Sequence, residues 1–201
     1  MSSPVVIVNG LGAPRLAALA YARALAAHGF ATFAAPQRLL GYGDVRIAAR
    51  LVADEVKRVQ DKTGAARVHV VGMSLGGLIG LYYVKCIDRG ASVDRFVSLG
   101  GPLNGSALAR LASILPGHHA VTQAIPDNGL LREIHAAAPP RGVRMFSIGT
   151  RGDILTPRAS FEAKGLEVLE SPHGAFPVGH WMLFTHPKNH ALVAHCLRAA
   201  S

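Results

Sequence analysis

The segment Arg67-Val-His-Val-Val-Gly-Met-Ser-Leu-Gly-Gly77 passes from a β-branched apolar run into a serine bracketed by glycines. From there it continues as an apolar helical pattern to Gly90. Residues 67 to 71 read as a strand covered on both faces, since only His69 interrupts the valines. Residues 75 to about 89 read as the helix that follows. Between them lies Gly72-Met-Ser-Leu-Gly76, a G-x-S-x-G. In a chain with 22 glycines that pattern alone says little, but the strand before it and the helix after it supply its confirming context. Glycines two before and two after Ser74 remove side chains that would collide in so tight a turn. The hydroxyl then projects above the sheet beside a helix N-terminus, whose dipole favours developing negative charge.

Outward from this turn, strand-like runs and helical patterns alternate. Val5 to Val8 is a short buried strand ending at Asn9-Gly10. Residues 14 to 28 form a helix with Pro14 near its start and Gly29 past its end. A strand at about 30 to 35 precedes a helix over 44 to 62, with Asp44 as N-cap and Gly64 beyond its C-end. Further strands are expected at 93 to 99, 143 to 148 and 166 to 169, and a last helix follows Pro187. Such alternation predicts a mostly parallel sheet covered on both faces, within a single α/β domain over residues 1–201. Residues 100 to 142 are the exception. They form a partly irregular excursion with a short helix around Leu108, Leu111, Ile114 and Leu115 and another near 128 to 137, placed where it could cover the ligand-bearing end of the sheet.

Composition narrows the function classes. The chain has 201 residues, half of them hydrophobic and 16% charged, which excludes a disordered or fibrous protein. Two cysteines are too few for a disulfide scaffold or a thiolate zinc site. The net charge of +9 is spread along the chain. Its densest stretch, Arg46, Arg50, Lys57 and Arg58, is interrupted by Asp54 and Glu55 and lacks interleaved aromatics, so no nucleic-acid partner is expected. No apolar run reaches the length of a membrane span, and Met-Ser-Ser-Pro4 carries no basic leader region. The expected location is cytoplasmic, or secreted had a signal peptide been removed.

A serine nucleophile needs a base, and the base needs an orienting acid. With a G-x-S-x-G turn the acid and the base follow in that order. Asp153, in Ser147-Ile-Gly-Thr-Arg-Gly-Asp153-Ile-Leu-Thr-Pro157, follows a strand end. Asp94 begins a strand and Asp127 lies in the excursion. For the base, His173, His180 and His186 all follow the last strand, and spacing alone leaves the three open. The N–H of Leu75, and one from the loop Asn9-Gly10-Leu11-Gly12, most simply Leu11, would supply an oxyanion hole.

Five segments carry a family resemblance: Val5 to Gly12, Val68 to Gly77, Ser98-Leu-Gly-Gly-Pro-Leu-Asn-Gly-Ser106, Ser147 to Pro157 and Gly179-His-Trp181. In order and spacing they resemble small bacterial triacylglycerol lipases and esterases of the α/β-hydrolase fold, over nearly the whole chain. The resemblance implies Ser74 as nucleophile, Asp153 as acid, His180 as base, and Leu11 and Leu75 as oxyanion donors. It implies cleavage of carboxylic esters without a cofactor. It further implies a minimal α/β-hydrolase of about six mostly parallel strands, beginning at the family's third, with no large lid and a partly open site. One departure is Asn9, where these lipases usually carry histidine.

Apolar residues flank the catalytic positions: Leu11, Met73, Leu75, Leu103, Leu108, Ile154, Phe176, Val178 and Trp181. Met73, Leu103, Leu108, Ile154 and Trp181 are the expected substrate-binding set, favouring a small ester or lipid with an apolar acyl chain. Acyl transfer through the same acyl-enzyme is an alternative reading, as is a non-catalytic binding protein on a hydrolase scaffold. His186 and His190, four apart, could share a metal, but Ser74, Asp153 and His180 account for the chemistry without one, and no metal is expected. Cys86 and Cys196 should lie on opposite faces of the sheet as free, buried thiols.

Overall fold

A computed structural model describes residues 3–37, 43–112 and 119–198. Its six strands are β1 (Val5–Val8), β2 (Thr32–Ala34), β3 (Val68–Met73), β4 (Val93–Leu99), β5 (Arg144–Gly149) and β6 (Glu167–Glu170). They form one parallel sheet in the order β2-β1-β3-β4-β5-β6. β3, which leads into the serine turn, therefore lies inside the sheet between β1 and β4. Each strand end there is flanked by loops that converge on the same edge, the arrangement in which parallel sheets bind ligands.

The period-2 alternation of the strands divides the core in two. Val6 and Val8 of β1 pack with Val68 and Val70 of β3 and with α2 (Val45–Thr63) and α3 (Leu75–Tyr82) on one face. Val5 and Ile7 pack with Val71 and Met73, with α1 (Arg15–Ala26) and with α9 (Pro187–Arg198) on the other. This is why the strands read as continuous apolar runs. Asp44 caps α2, accepting from the N–H of Arg46 at 2.7 Å and of Ile47 at 3.3 Å, and Gly64 ends it with φ of 71°. A cap of this kind contributes about 1 kcal/mol.

The excursion after β4 holds α4 (Ala107–Ala112), α5 (His119–Gln123) and α6 (Gly129–Ala136). Leu108 and Leu111 fall on α4, while Ile114 and Leu115 lie outside the described residues. Its helices settle on the α2–α3 face: Gln123 bonds the Asp44 carboxylate at 2.7 Å, and Glu133 accepts from Tyr82 at 2.7 Å. Three short helices were not expected from the sequence: α5, α7 (Arg158–Phe161) and α8 (Gly179–Thr185). The helix expected over 75 to 89 also divides, since α3 passes into a π-helical stretch over Tyr83–Asp88. Both cysteines are free, on opposite faces as expected, but Cys86 is only half-buried because it lies at the rim of that stretch. Among the described residues no long helical lid covers the strand ends, and no helix is long and apolar enough to cross a membrane.

Candidate active site

Ser74 stands between β3 and α3 with φ of 51° and ψ of −125°, a conformation few non-glycine residues adopt. Its N–H donates to the Leu99 carbonyl of β4 at 2.8 Å and its own carbonyl accepts from Gly77 at 2.8 Å, so the turn is held from both sides. Gly76 is obligatory here, because a Cβ would stand 2.2 Å from the Val8 carbonyl oxygen of β1.

His180 sits on α8, in a helix rather than the loop the sequence suggested. The helix enters against the loop after β5 so closely that a Cβ on Gly179 would meet the Gly152 carbonyl carbon at 2.4 Å. That contact brings His180 Nδ1 within 2.6 Å of Asp153 Oδ2. On its far side, Nε2 lies 2.9 Å from Ser74 Oγ. A neutral ring with its proton on Nδ1 donates to the carboxylate and accepts from the serine hydroxyl, the order a base needs. Asp153 is 2% exposed and His180 3%. Edge-on contacts from Trp181 and Phe184, with centroids 5.7 and 5.1 Å away, fix the imidazole plane.

Asp153 is further held by a residue the sequence reading missed. Its Oδ1 accepts from the N–H of Leu155 and of Thr156, both at 2.9 Å. Thr156 Oγ1 lies 2.7 Å from Asp153 Oδ2 and 3.0 Å from the Gly100 carbonyl, so its single proton serves two acceptors. The Asp-x-x-Thr spacing is a legible sign of this local turn. Burial pushes the Asp153 carboxyl up, but the bonds from His180 and Thr156 outweigh it and hold the group below the ordinary carboxylate range.

The block Ser98 to Ser106 anchors the acid loop. Ser106 Oγ donates to the Leu155 carbonyl at 2.7 Å, and the N–H of Asn104 donates to the Ser160 carbonyl at 2.8 Å. Leu103, within this block, is fully buried in the core on the α2–α3 face and does not line the cleft. Leu108, on α4, and Ile154, partly exposed beside Asp153, do not line it either.

The cleft beside Ser74 encloses about 530 Å³. Leu11, Met73 and Trp181 border it. Leu155 and Phe184 also border it, together with a wall that sequence reasoning did not find: Ala17, Ala20 and Tyr21 of α1. Periodicity alone could place those residues on a buried helix face but could not tell core from cavity. Among the described residues no Asp, Glu, Lys or Arg side chain lines it.

The loop after β1 crosses one end of the cleft. Asn9 Nδ2 donates to the carbonyls of Ala13 at 3.1 Å and Pro14 at 3.0 Å, and Gln37 donates to the Gly10 carbonyl at 2.6 Å. The Leu11 N–H has no acceptor among the described residues, and Leu75 opens α3, where helical N–H groups lack intrahelical partners. The other two histidines are engaged elsewhere. His173 and His186 stack with centroids 4.8 Å apart, while His190 lies 2.7 Å from the Phe184 carbonyl. Among the described residues no three His, Cys, Asp or Glu side chains gather as a metal site.

Known structures share this architecture. The chain superposes on the mature lipase BlEst2 of Bacillus licheniformis with a TM-score of 0.81 at 16% identity, covering 98% of this chain and 92% of that one. Lipase B of Aspergillus fumigatus gives 0.78 at 16% identity, over 98% of this chain and 52% of that one. The monoacylglycerol lipase of Paleococcus ferrophilus gives 0.66 at 17% identity, over 98% and 96%. Residues 3–120, from the first strand through the serine turn and beyond, match the family model for the alpha/beta hydrolase fold. With its sheet order and its serine turn both in place, the chain belongs to the α/β-hydrolase fold family.

Proposed function

We propose that the protein is a serine hydrolase cleaving neutral carboxylic esters with short to medium apolar acyl chains. The observation that carries this reading is the continuous line Asp153–His180–Ser74, with bonds of 2.6 and 2.9 Å, opening onto an apolar cleft. In the first half-reaction His180 Nε2 takes the Ser74 proton as Oγ attacks the ester carbonyl. The N–H groups of Leu11 and Leu75 stabilise the tetrahedral oxyanion. His180 returns the proton to the alkoxide leaving group, and the alcohol departs. Water, deprotonated by His180, then releases the acid and restores Ser74. Asp153 stays ionised throughout and stabilises the imidazolium.

The lining supports an uncharged substrate despite the net charge of +9, because among the described residues no Asp, Glu, Lys or Arg side chain borders the cleft. Ile154, Phe176, Val178 and Trp181 are exposed around the catalytic positions and extend the apolar character outward. Lipases among the similar structures are in keeping with this reading. Hydrolysis of p-nitrophenyl esters from acetate to palmitate tests it. The expected result is an optimum at short to medium length, with Ser74→Ala losing on the order of 10⁵–10⁶ in rate. Cleavage of phosphoesters or peptides, with neutral esters left intact, would refute it.

A further inference from the structure

Far along α3, away from the serine, the backbone widens into the π-helical stretch Tyr83–Asp88, a distortion frequent at functional sites. It carries Lys85 inward, where the residue is 6% exposed. A lysine so buried is ordinarily paired with a carboxylate. Lys85 has no hydrogen-bond or ion-pair partner among the described residues. The nearby acids are committed: Glu133 to Arg46 and Tyr82, and Asp88 to the N–H groups of Gly90, Ser92 and Val93.

Lys85 forms part of the wall of two neighbouring cavities of about 700 and 390 Å³, which also share the segment Ala137 to Pro139. Arg89 and Arg141 border the larger and Lys164 the smaller. Among the described lining residues the one acid is Glu133, already neutralised by Arg46. Among the described residues neither cavity shares a lining residue with the cleft at Ser74. The aliphatic stem of Lys85 is covered while its ammonium, unpaired among the described residues, opens onto these cavities. Burial accordingly pushes the Lys85 ammonium below its ordinary range.

We propose that these adjoining cavities bind a small phosphate-bearing molecule, with the Lys85 ammonium as its inner anchor and the Arg89 and Arg141 guanidinium groups as outer donors. Three cations against no free acid suit a dianion better than a single carboxylate, and guanidinium and ammonium donors both match phosphate oxygens. The phosphate could belong to a free anion or monoester, or to a lipid headgroup.

Inorganic phosphate, titrated by calorimetry at constant ionic strength, is the direct probe. Wild type should show saturable one-site binding, and Lys85→Met should weaken it at least tenfold while hydrolysis of p-nitrophenyl butyrate is unchanged. Should Lys85→Met fail to fold, exposed Arg141→Ala gives a second test, expected to weaken binding severalfold. In wild type, phosphate should also protect Lys85 from limiting acetic anhydride, read by peptide mass mapping, while leaving exposed Lys57 unprotected. Lys85-dependent cosedimentation with phosphatidic acid vesicles, and not with phosphatidylcholine, would assign the phosphate to a lipid. Phosphate binding without vesicle capture would assign a free anion or monoester. Absence of saturable binding, or binding and labelling unaffected by these substitutions and by phosphate, would overturn the proposal.

Discussion

Asn9, at the border of the cleft, ties down the loop beside it. Its amide donates to two carbonyls four and five residues onward, pinning the loop that carries Leu11 across the end of the cleft. Asn9→Ala removes both bonds and leaves Gln37 as the side-chain tie to this loop. Complete loss of an oxyanion donor slows turnover by ~10²–10³, so a loosened loop should cost kcat about 10- to 100-fold, with KM little changed. Steady-state kinetics on a single p-nitrophenyl ester measures this, and an unchanged kcat would detach Leu11 from the chemistry. Thr156 works similarly on the acid, and its role was signalled only by its position three residues after Asp153.

At the scale of elements, the strand-turn-helix around Ser74 was legible because its demands are local and glycine meets them. Gly76 lies against the Val8 carbonyl with no room for a Cβ, so Gly76→Ala must separate α3 from β1. Overpacking against backbone has no soft neighbour to yield, and a loss of about 3 kcal/mol or more in unfolding free energy is expected, measured by urea titration. The strands were legible for the same local reason: valines that satisfy both faces leave no polar alternation. Helix α8 was not. Gly179-His-Trp-Met-Leu-Phe-Thr185 is short, follows Pro177, and is held by tertiary contact with Gly152 rather than by caps or propensity. Leu103 misled for the converse reason, because proximity in sequence to the Gly-Gly-Pro turn does not reveal that its side chain enters the core. The π-helical turn at Tyr83–Asp88 has no signature in the sequence that we can identify.

Over the whole molecule, the sheet is buried on both faces, and this sets a pH dependence remote from the cleft. His69 of β3 is 3% exposed, edge-on to Phe30, and its Nδ1 has no hydrogen-bond partner among the described residues. Burial lowers its pKa to about 4; Asp94, 3.6 Å away, opposes this only in part, and Arg95 adds to it. In the unfolded chain the ring titrates near 6.5. Above that value neither state holds the proton and the fold carries no penalty. As pH falls from 6.5 towards 4, the unfolded state takes up a proton that the folded state refuses, and stability declines. Between pH 7.5 and 4.5 this contributes roughly 2–3 kcal/mol. Wild type should therefore lose that much more than His69→Phe across the interval in paired urea titrations, and equal losses would show His69 to be silent.

On the proposed function, the Ser74 hydroxyl becomes a nucleophile when His180 accepts its proton, and that event can be trapped. Incubation with a fluorophosphonate, followed by peptide mass mapping, should place one adduct per chain on Ser74. Ser74→Ala should abolish it, and Asp153→Asn should slow it sharply while the fold persists. An adduct elsewhere in the folded protein, or none at Ser74 in wild type, would contradict the assignment of Ser74, His180 and Asp153 as a catalytic unit.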